Sequence, residues 1–215
     1  MELNMIWEQY IKDNGAEFVY FVDTSTLPAE AVYGYTCAIL FGKVLTREYL
    51  SAIRAGQKPK RQEFGATEHK MDALADKLAE QLVSEGHDSV SKLKVGTLPH
   101  KTIALRAGLG FIGKNTLLVN DQYGCALVLG KVLTTAPFAT TAVSPKAPQC
   151  GDCRVCVDVC PTKALHGKTW SVGTTRDEML VRKNCSCCLK CMIWCPYTVK
   201  YAEHLTLQKC KINVR

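Results

Sequence analysis

The 215-residue chain has no apolar run long enough to cross a bilayer. Its first residues, Met1-Glu-Leu-Asn-Met-Ile-Trp, lack the basic stretch and following apolar stretch of a secretory leader. Both absences predict a soluble, cytoplasmic protein with no membrane partner. No collagenous, heptad or low-complexity pattern occurs, which excludes fibrous and disordered classes. Acidic residues are in the minority, 20 Asp and Glu against 27 Lys and Arg, for a formal charge of +7. A hydrophobic content of 47% is enough for a real core in one domain plus a small module.

What is abundant is cysteine, twelve in all. Without a leader, that usage points to a reducing compartment in which thiolates are reserved for metal. Eight of them form two runs, Cys150-x2-Cys153-x2-Cys156-x3-Cys160-Pro161 and Cys185-x2-Cys188-x2-Cys191-x3-Cys195-Pro196. This is the ligand spacing of a two-cluster bacterial ferredoxin, and it makes electron transfer the first expectation. Three cysteines spaced three apart on a tight loop can wrap one face of a 4Fe-4S cube. The fourth, on the following helix, points away to the other cube. The spacing therefore assigns Cys150, Cys153, Cys156 and Cys195 to one cluster and Cys185, Cys188, Cys191 and Cys160 to the second. Structural zinc also takes four cysteines, but in two separated pairs, and a disulfide framework fits the runs less well still. Sharing across runs predicts that neither half folds alone around metal.

The clusters also bear on charge. An oxidised core of about 2+ against four thiolates leaves roughly −2 per site, so two sites take +7 to about +3. That weakens a nucleic-acid reading, and RNA is not an expected partner. Lys58-Pro-Lys60-Arg61 is the one dense basic stretch, read as a solvated loop or a contact for an acidic redox partner. Cys187 would spoil the register of the second run and is read as a spectator. Cys37 and Cys125 lie in apolar strands and read as small core residues. Cys210 is in the tail, without an assignment. Trp194 and Tyr197 flank the second run and are expected to shield its cluster from water.

Pro, Ala, Thr and Ser replace alternating apolar residues over Pro137 to Gln149, dividing the chain into a body, 1–140, and a cysteine module, 141–215. In the body, Leu3 to Asp13 reads as an amphipathic helix through Ile6, Trp7, Tyr10 and Ile11. The clearest helix spans Thr67 to Glu85, capped by Thr67 and ended by Gly86, with shorter helices at Thr46 to Arg54 and Lys101 to Ala107. Phe18 to Val22, Tyr35 to Phe41, Ser89 to Leu93, Thr116 to Val119 and Gly124 to Leu133 read as strands. The mixture predicts an α/β or α+β layered fold.

Gly108-x-Gly110-x-x-Gly113 copies the dinucleotide fingerprint in the wrong setting, with a helix before it and a strand after. Nor does Gly113-Lys114-Asn115 complete a P-loop. What remains is a loop without side-chain bulk, able to press backbone N–H groups and Lys114 against a large planar or anionic ligand, or else a helix cap and a tight turn.

The stretch from Leu98-Pro-His-Lys-Thr-Ile-Ala-Leu-Arg-Ala-Gly-Leu-Gly-Phe-Ile-Gly-Lys-Asn to Val119-Asn120, then Tyr123-Gly124 and the double run, is similar to epoxyqueuosine reductases. More distantly it resembles corrinoid reductive dehalogenases, and it most resembles short double 4Fe-4S proteins of the same superfamily. The resemblance implies a nitroreductase-like α/β body that cradles cobalamin, followed by a bacterial ferredoxin-like module that feeds it electrons. Gly108, Gly110, Gly113, Lys114 and Asn115 would line the corrinoid side. A one-electron donor of ferredoxin or flavodoxin type is the implied partner, and a homodimer is a candidate assembly.

Two departures stand out. Epoxyqueuosine reductases carry an aspartate before the glycine loop as proton donor, whereas Leu93 to His100 holds no carboxylate, leaving His100 as a weak catalytic candidate. The chain also ends soon after the second run, so a tRNA-contacting extension is not expected, nor is epoxyqueuosine in tRNA as substrate. The alternative to a reductase is a ferredoxin-like carrier or docking protein without a catalytic site.

Overall fold

A computed structural model describes residues 2–57, 62–91 and 98–203. The Lys58 to Arg61 stretch, Cys210 and the end of the strand expected at Ser89 to Leu93 lie outside the described residues. In chain order the helices and strands are α1 (Glu2–Asp13), β1 (Phe18–Asp23), α2 (Ala29–Val32), β2 (Cys37–Val44), α3 (Arg47–Arg54), α4 (Gln62–Ser84), β3 (Ser89–Val90) and α5 (His100–Arg106). They continue with β4 (Phe111–Ile112), β5 (Leu118–Val119), β6 (Leu127–Thr134), α6 (Val155–Asp158), α7 (Lys190–Ile193) and α8 (Pro196–Ala202). This is an α+β fold. Among the described residues, no helix is long and apolar enough to cross a membrane.

The chain divides into two compact units. Described residues of Met1–Val44, Glu63–Leu109 and Val128–Pro145 form the first, and those of Leu45–Gln62, Gly110–Leu127 and Lys146–Arg215 the second.

The first unit is built on a four-stranded sheet in the order β1-β2-β6-β3. β1 and β2 run antiparallel, with Phe18 opposite Gly42 and Asp23 opposite Cys37. Ile39, Leu40 and Phe41 of β2 are fully buried, so this strand carries apolar residues on both faces, as a covered sheet requires. α4 buries Met71, Leu74, Ala75, Leu78 and Leu82 at spacings of three and four. It begins five residues before the expected start. Thr67 is buried inside the helix rather than capping it, because the helix runs on through Gln62–Ala66 in spite of Gly65. α1 buries Trp7 and Ile11, while Ile6, expected inside, is 59% exposed on the flank of that stripe.

The second unit carries the glycine-rich stretch as a two-stranded hairpin. Phe111 stands opposite Val119 and Ile112 opposite Leu118. The expected strand at Thr116 to Val119 keeps only its last two residues. Thr116 takes φ +65° in the turn, its N–H donating to Gly113 O at 2.8 Å, and Asn115 Oδ1 accepts the Leu117 N–H at 3.1 Å. Gly110 is required here because a Cβ would lie 2.1 Å from Val119 O. In the same unit α3, whose start is capped by Thr46 accepting from Tyr49 N–H, packs on α7 and α8.

Candidate metal centre

Both cysteine runs lie in the second unit, and every described cysteine is free of disulfides. In the first run the chain turns at Gly151 (φ +47°), the Cys153 N–H donates to Cys150 O at 2.9 Å, and Cys156 sits buried in α6. In the second, the chain leaves a 3-10 turn at Arg182–Asn184 and bends through Cys187 (φ +50°) and Leu189 (φ +63°) into α7, which carries Cys191. Two left-handed non-glycine residues cost about 1–2 kcal/mol each, strain that the packing around them must hold. Cys195 is the N-cap of α8, with Pro196 in the first helical turn.

Cys150, Cys153 and Cys156 of the first run and Cys195 of the second line one cavity of about 310 Å³, together with Lys114, Asn115 and Tyr197. Electrostatics group the thiols in the same way. Burial first, then the thiols of Cys195, Cys150 and Cys153, push Cys156 up to about 12. Cys191 is also raised to about 12, by burial and then by Cys156, Cys188, Cys185 and Cys160. Buried thiols that raise one another ionise together only around a cationic guest, so the donor set fits a positively charged sulfur-ligated core. Among the described residues no group of three or more His, Cys, Asp or Glu is gathered for a single metal ion. The four thiols are instead spread around the cavity wall.

Three residues outside the runs hold this arrangement. Lys114, 9% exposed, donates from Nζ to Gly151 O at 2.6 Å and Cys153 O at 3.3 Å. Asn115, 3% exposed, donates from Nδ2 to Cys191 O at 3.1 Å and to Cys125 Sγ at 3.2 Å. Cys125 in turn hydrogen-bonds Cys195, which draws the Cys195 thiol down, and the same contact with burial pushes Cys125 up. Tyr197 and Thr198 N–H groups also aim at the Cys195 sulfur, and Thr198 Oγ1 accepts the Cys125 N–H at 2.9 Å. Cys125 is buried as expected, yet it is also a neighbour of a run cysteine 70 positions away. No spacing rule announces that contact. Tyr197, expected at the second run's cluster, lines the cavity of Cys150, Cys153 and Cys156 and packs edge-on against Phe111, whereas Trp194 is 40% exposed.

Gly110, Gly113, Lys114 and Asn115 belong to the second unit. Gly108, at φ +71° after α5, belongs to the first. His100 opens α5 and lines a separate cavity of about 150 Å³ in the first unit with Asp72, Ser91, Leu98 and Lys131. Burial, then the Lys131 ammonium, lowers its pKa to about 4, against an opposing pull from Asp72. A histidine whose folded value lies below its ordinary value of about 6.5 binds protons more readily when unfolded. Stability is thus expected to fall as pH drops from about 6.5 towards 4, and His100→Gln to flatten that slope, as read from denaturant midpoints at pH 7 and pH 5.

No protein-family model matches the chain. The fold is shared with an epoxyqueuosine reductase and a reductive dehalogenase of known structure. An epoxyqueuosine reductase from Streptococcus thermophilus superposes with TM-score 0.61 at 19% identity over 93% of this chain and 67% of that one. A reductive dehalogenase, from a study of B12-dependent dehalogenation, gives TM-score 0.62 at 17% identity over 87% and 31%. In sequence, the epoxyqueuosine reductase of Staphylococcus aureus is 43% identical over 77 residues, and that of Lactococcus garvieae 35% identical over 123. These stretches cover 36% and 51% of this chain but 20% and 34% of the relatives, so the chain matches between about a fifth and about a third of their length. In sequence the chain is thus similar to epoxyqueuosine reductases over part of its length, and in fold to epoxyqueuosine reductases and a reductive dehalogenase. One further structural neighbour, at TM-score 0.57 and 18% identity, is an epoxyqueuosine reductase solved with a tRNA stem loop.

Proposed function

We propose that the chain is an iron-sulfur redox protein carrying two 4Fe-4S clusters, one held by Cys150, Cys153, Cys156 and Cys195 and the other by Cys160, Cys185, Cys188 and Cys191. The observation that carries this reading is the cavity lined by three thiols of one run and the last thiol of the other. Module 141–215 then serves as a one-electron relay, and two relay sites suit a two-electron reduction fed by a one-electron donor. In the fuller form the electrons reach a cobalamin-dependent reductase site in the body, 1–140. Cobalamin, when bound, would supply a strongly reducing cobalt centre. The chain's own residues hold the thiols in register. Lys114 ties down the Gly151 and Cys153 carbonyls, Asn115 bridges Cys125 and the Cys191 carbonyl, and Tyr197 covers the cavity.

One feature favours the carrier reading as the second possibility. The polar atoms of Lys114 and Asn115, which the resemblance offers to a corrin, are engaged by the cysteine loops. Anaerobic purification with iron, sulfide and cobalt counted per chain, followed by titration with cobalamin, tests both forms. About eight iron and eight sulfide are expected. Zinc in place of iron would overturn the cluster reading. Retained cobalt with a shifted visible spectrum supports the reductase, and neither leaves the carrier.

Hydrogen bonds to a ligand sulfur stabilise the more negative reduced state of a cluster. Cys125→Ala is therefore expected to lower the midpoint potential of the cluster held by Cys195, in an EPR-monitored redox titration, at unchanged iron content. Cys125→Ser keeps a donor and should fall between the two.

A further inference from the structure

The two halves of the centre differ in exposure and charge. Cys156 and Cys195 are buried, whereas Cys185 and Cys187 are exposed together with Arg182, Lys183 and Lys190 beside them. From Met179 to Ala202 the sequence has four cations, Arg182, Lys183, Lys190 and Lys200, and no Asp or Glu. Around the first run, by contrast, Asp152 and Asp158 balance Arg154 and Lys163. α3 lies against α7 and α8 and adds to the basic side, with the Arg54 guanidinium 5.7 Å from the centre of the exposed Trp194 ring and that of Arg47 4.9 Å from the Tyr201 ring. Glu203, paired with Arg54, and the exposed Glu48 are carboxylates at the end of α8 and on α3, and the exposed Asp177 and Glu178 precede Arg182 along the chain, Glu178 paired with Lys168.

We infer that this face, formed by α3, α7 and the Lys183–Cys188 loop around the exposed Trp194, is the docking surface for an acidic one-electron carrier protein, and that electrons enter at the cluster of Cys185, Cys188, Cys191 and Cys160. The inference rests on the two-cluster reading above and adds a direction and a partner to it. A tryptophan flanked by arginine is the type of side chain that anchors protein interfaces, and a surrounding field of one sign steers an oppositely charged partner to the right face. An acidic carrier is favoured over RNA because the cations flank the exposed thiols of Cys185 and Cys187, the most exposed among the described residues. Electron transfer needs close approach to those thiols, and RNA binding does not. One electron leaves the reduced carrier and one is gained by the cluster; no bond or proton changes hands. Electrons then pass towards the buried site, since α7, which carries Cys191, packs on α6, which carries Cys156.

The test uses the reconstituted full chain, mixed anaerobically in a stopped-flow instrument with a reduced acidic ferredoxin as probe. The second-order rate of cluster reduction is expected to fall about tenfold between low salt and about 0.3 M salt. Lys183→Glu with Lys190→Glu is expected to lower the low-salt rate by a similar factor, and Trp194→Ala to lower it at all salt concentrations. Reduction by dithionite, the iron count and the rate of a Lys43→Glu control should stay unchanged. A rate insensitive to salt and to these substitutions, in protein with full iron, overturns the docking face and leaves the cluster reading standing. Wild-type protein without iron overturns the cluster reading instead. Should the charge reversals cost iron, Lys183→Gln with Lys190→Gln takes their place, with a smaller loss of rate expected. An RNA stem loop whose binding is lost in the reversals while the carrier's rate is kept would assign the face to RNA and refute the proposal.

Discussion

Cys195→Ala is expected to empty the cluster site of the first run although Cys195 belongs to the second, with iron falling from about eight to about four per chain. Cys195 shares its cavity with Cys150, Cys153 and Cys156, while the Cys191 thiol is raised, after burial, by Cys156 and then by Cys188, Cys185 and Cys160. A single replacement cannot separate crossed from uncrossed sharing, because either loses one cluster. Pairs of replacements can, by the logic of a double-mutant cycle. If the sharing is crossed, Cys150→Ala with Cys195→Ala strikes one site twice and keeps about four iron, while Cys150→Ala with Cys160→Ala loses all. Uncrossed sharing reverses the two outcomes, and iron and sulfide counts on anaerobically reconstituted variants read the difference. If each run supplies the other's fourth ligand, losing both sites is also expected to unfold the module.

The second large effect comes from a residue that touches no cluster. Gly124 adopts φ +60°, and a Cβ there would lie 2.3 Å from Thr198 N and 2.5 Å from Thr198 Cα. Those are backbone atoms of the first turn of α8, which cannot rotate away as a side chain would. Gly124→Ala is expected to destabilise the protein by about 3 kcal/mol, combining the left-handed penalty with overpacking. The displacement should spread to Cys195, whose sulfur is oriented by the Tyr197 and Thr198 amides. A lowered denaturant midpoint accompanied by faster iron release under chelator is the expected pair of readings. Ordinary stability with ordinary iron retention would show that α8 is free to shift. Gly15→Ala is the control, because it shares a positive φ of +104° but meets no atom within 4 Å.

Much of the local structure was legible because helical periodicity and turn chemistry are short-range. α1, α3 and α5 were expected within a residue of their observed starts, and Gly86, at φ +89°, ends the long helix as expected. The misses have physical causes. Thr67 resembles a cap, but its side chain faces the core, and the helix runs on through Gln62–Gly65. Thr116 resembles a strand residue by its β-branching, yet the Asn115 side chain closes a turn there and forces it to a left-handed φ. The glycine pattern at Gly108 to Gly113 is a helix end followed by a hairpin, as its flanking elements had implied, and not a nucleotide loop.

The sequence by itself determined that eight thiols come in two runs of fixed spacing, that each run must turn tightly, and that a proline follows each last thiol. These are properties of neighbours along the chain, set by backbone geometry over a few residues. Only the tertiary structure decided that Cys195 stands with the other run, that Cys125 hydrogen-bonds it, and that Lys114 and Asn115 turn their polar atoms on the cysteine loops. Those contacts join residues tens of positions apart. They exist because a buried amide, ammonium or thiol must find its partner wherever packing brings one within reach.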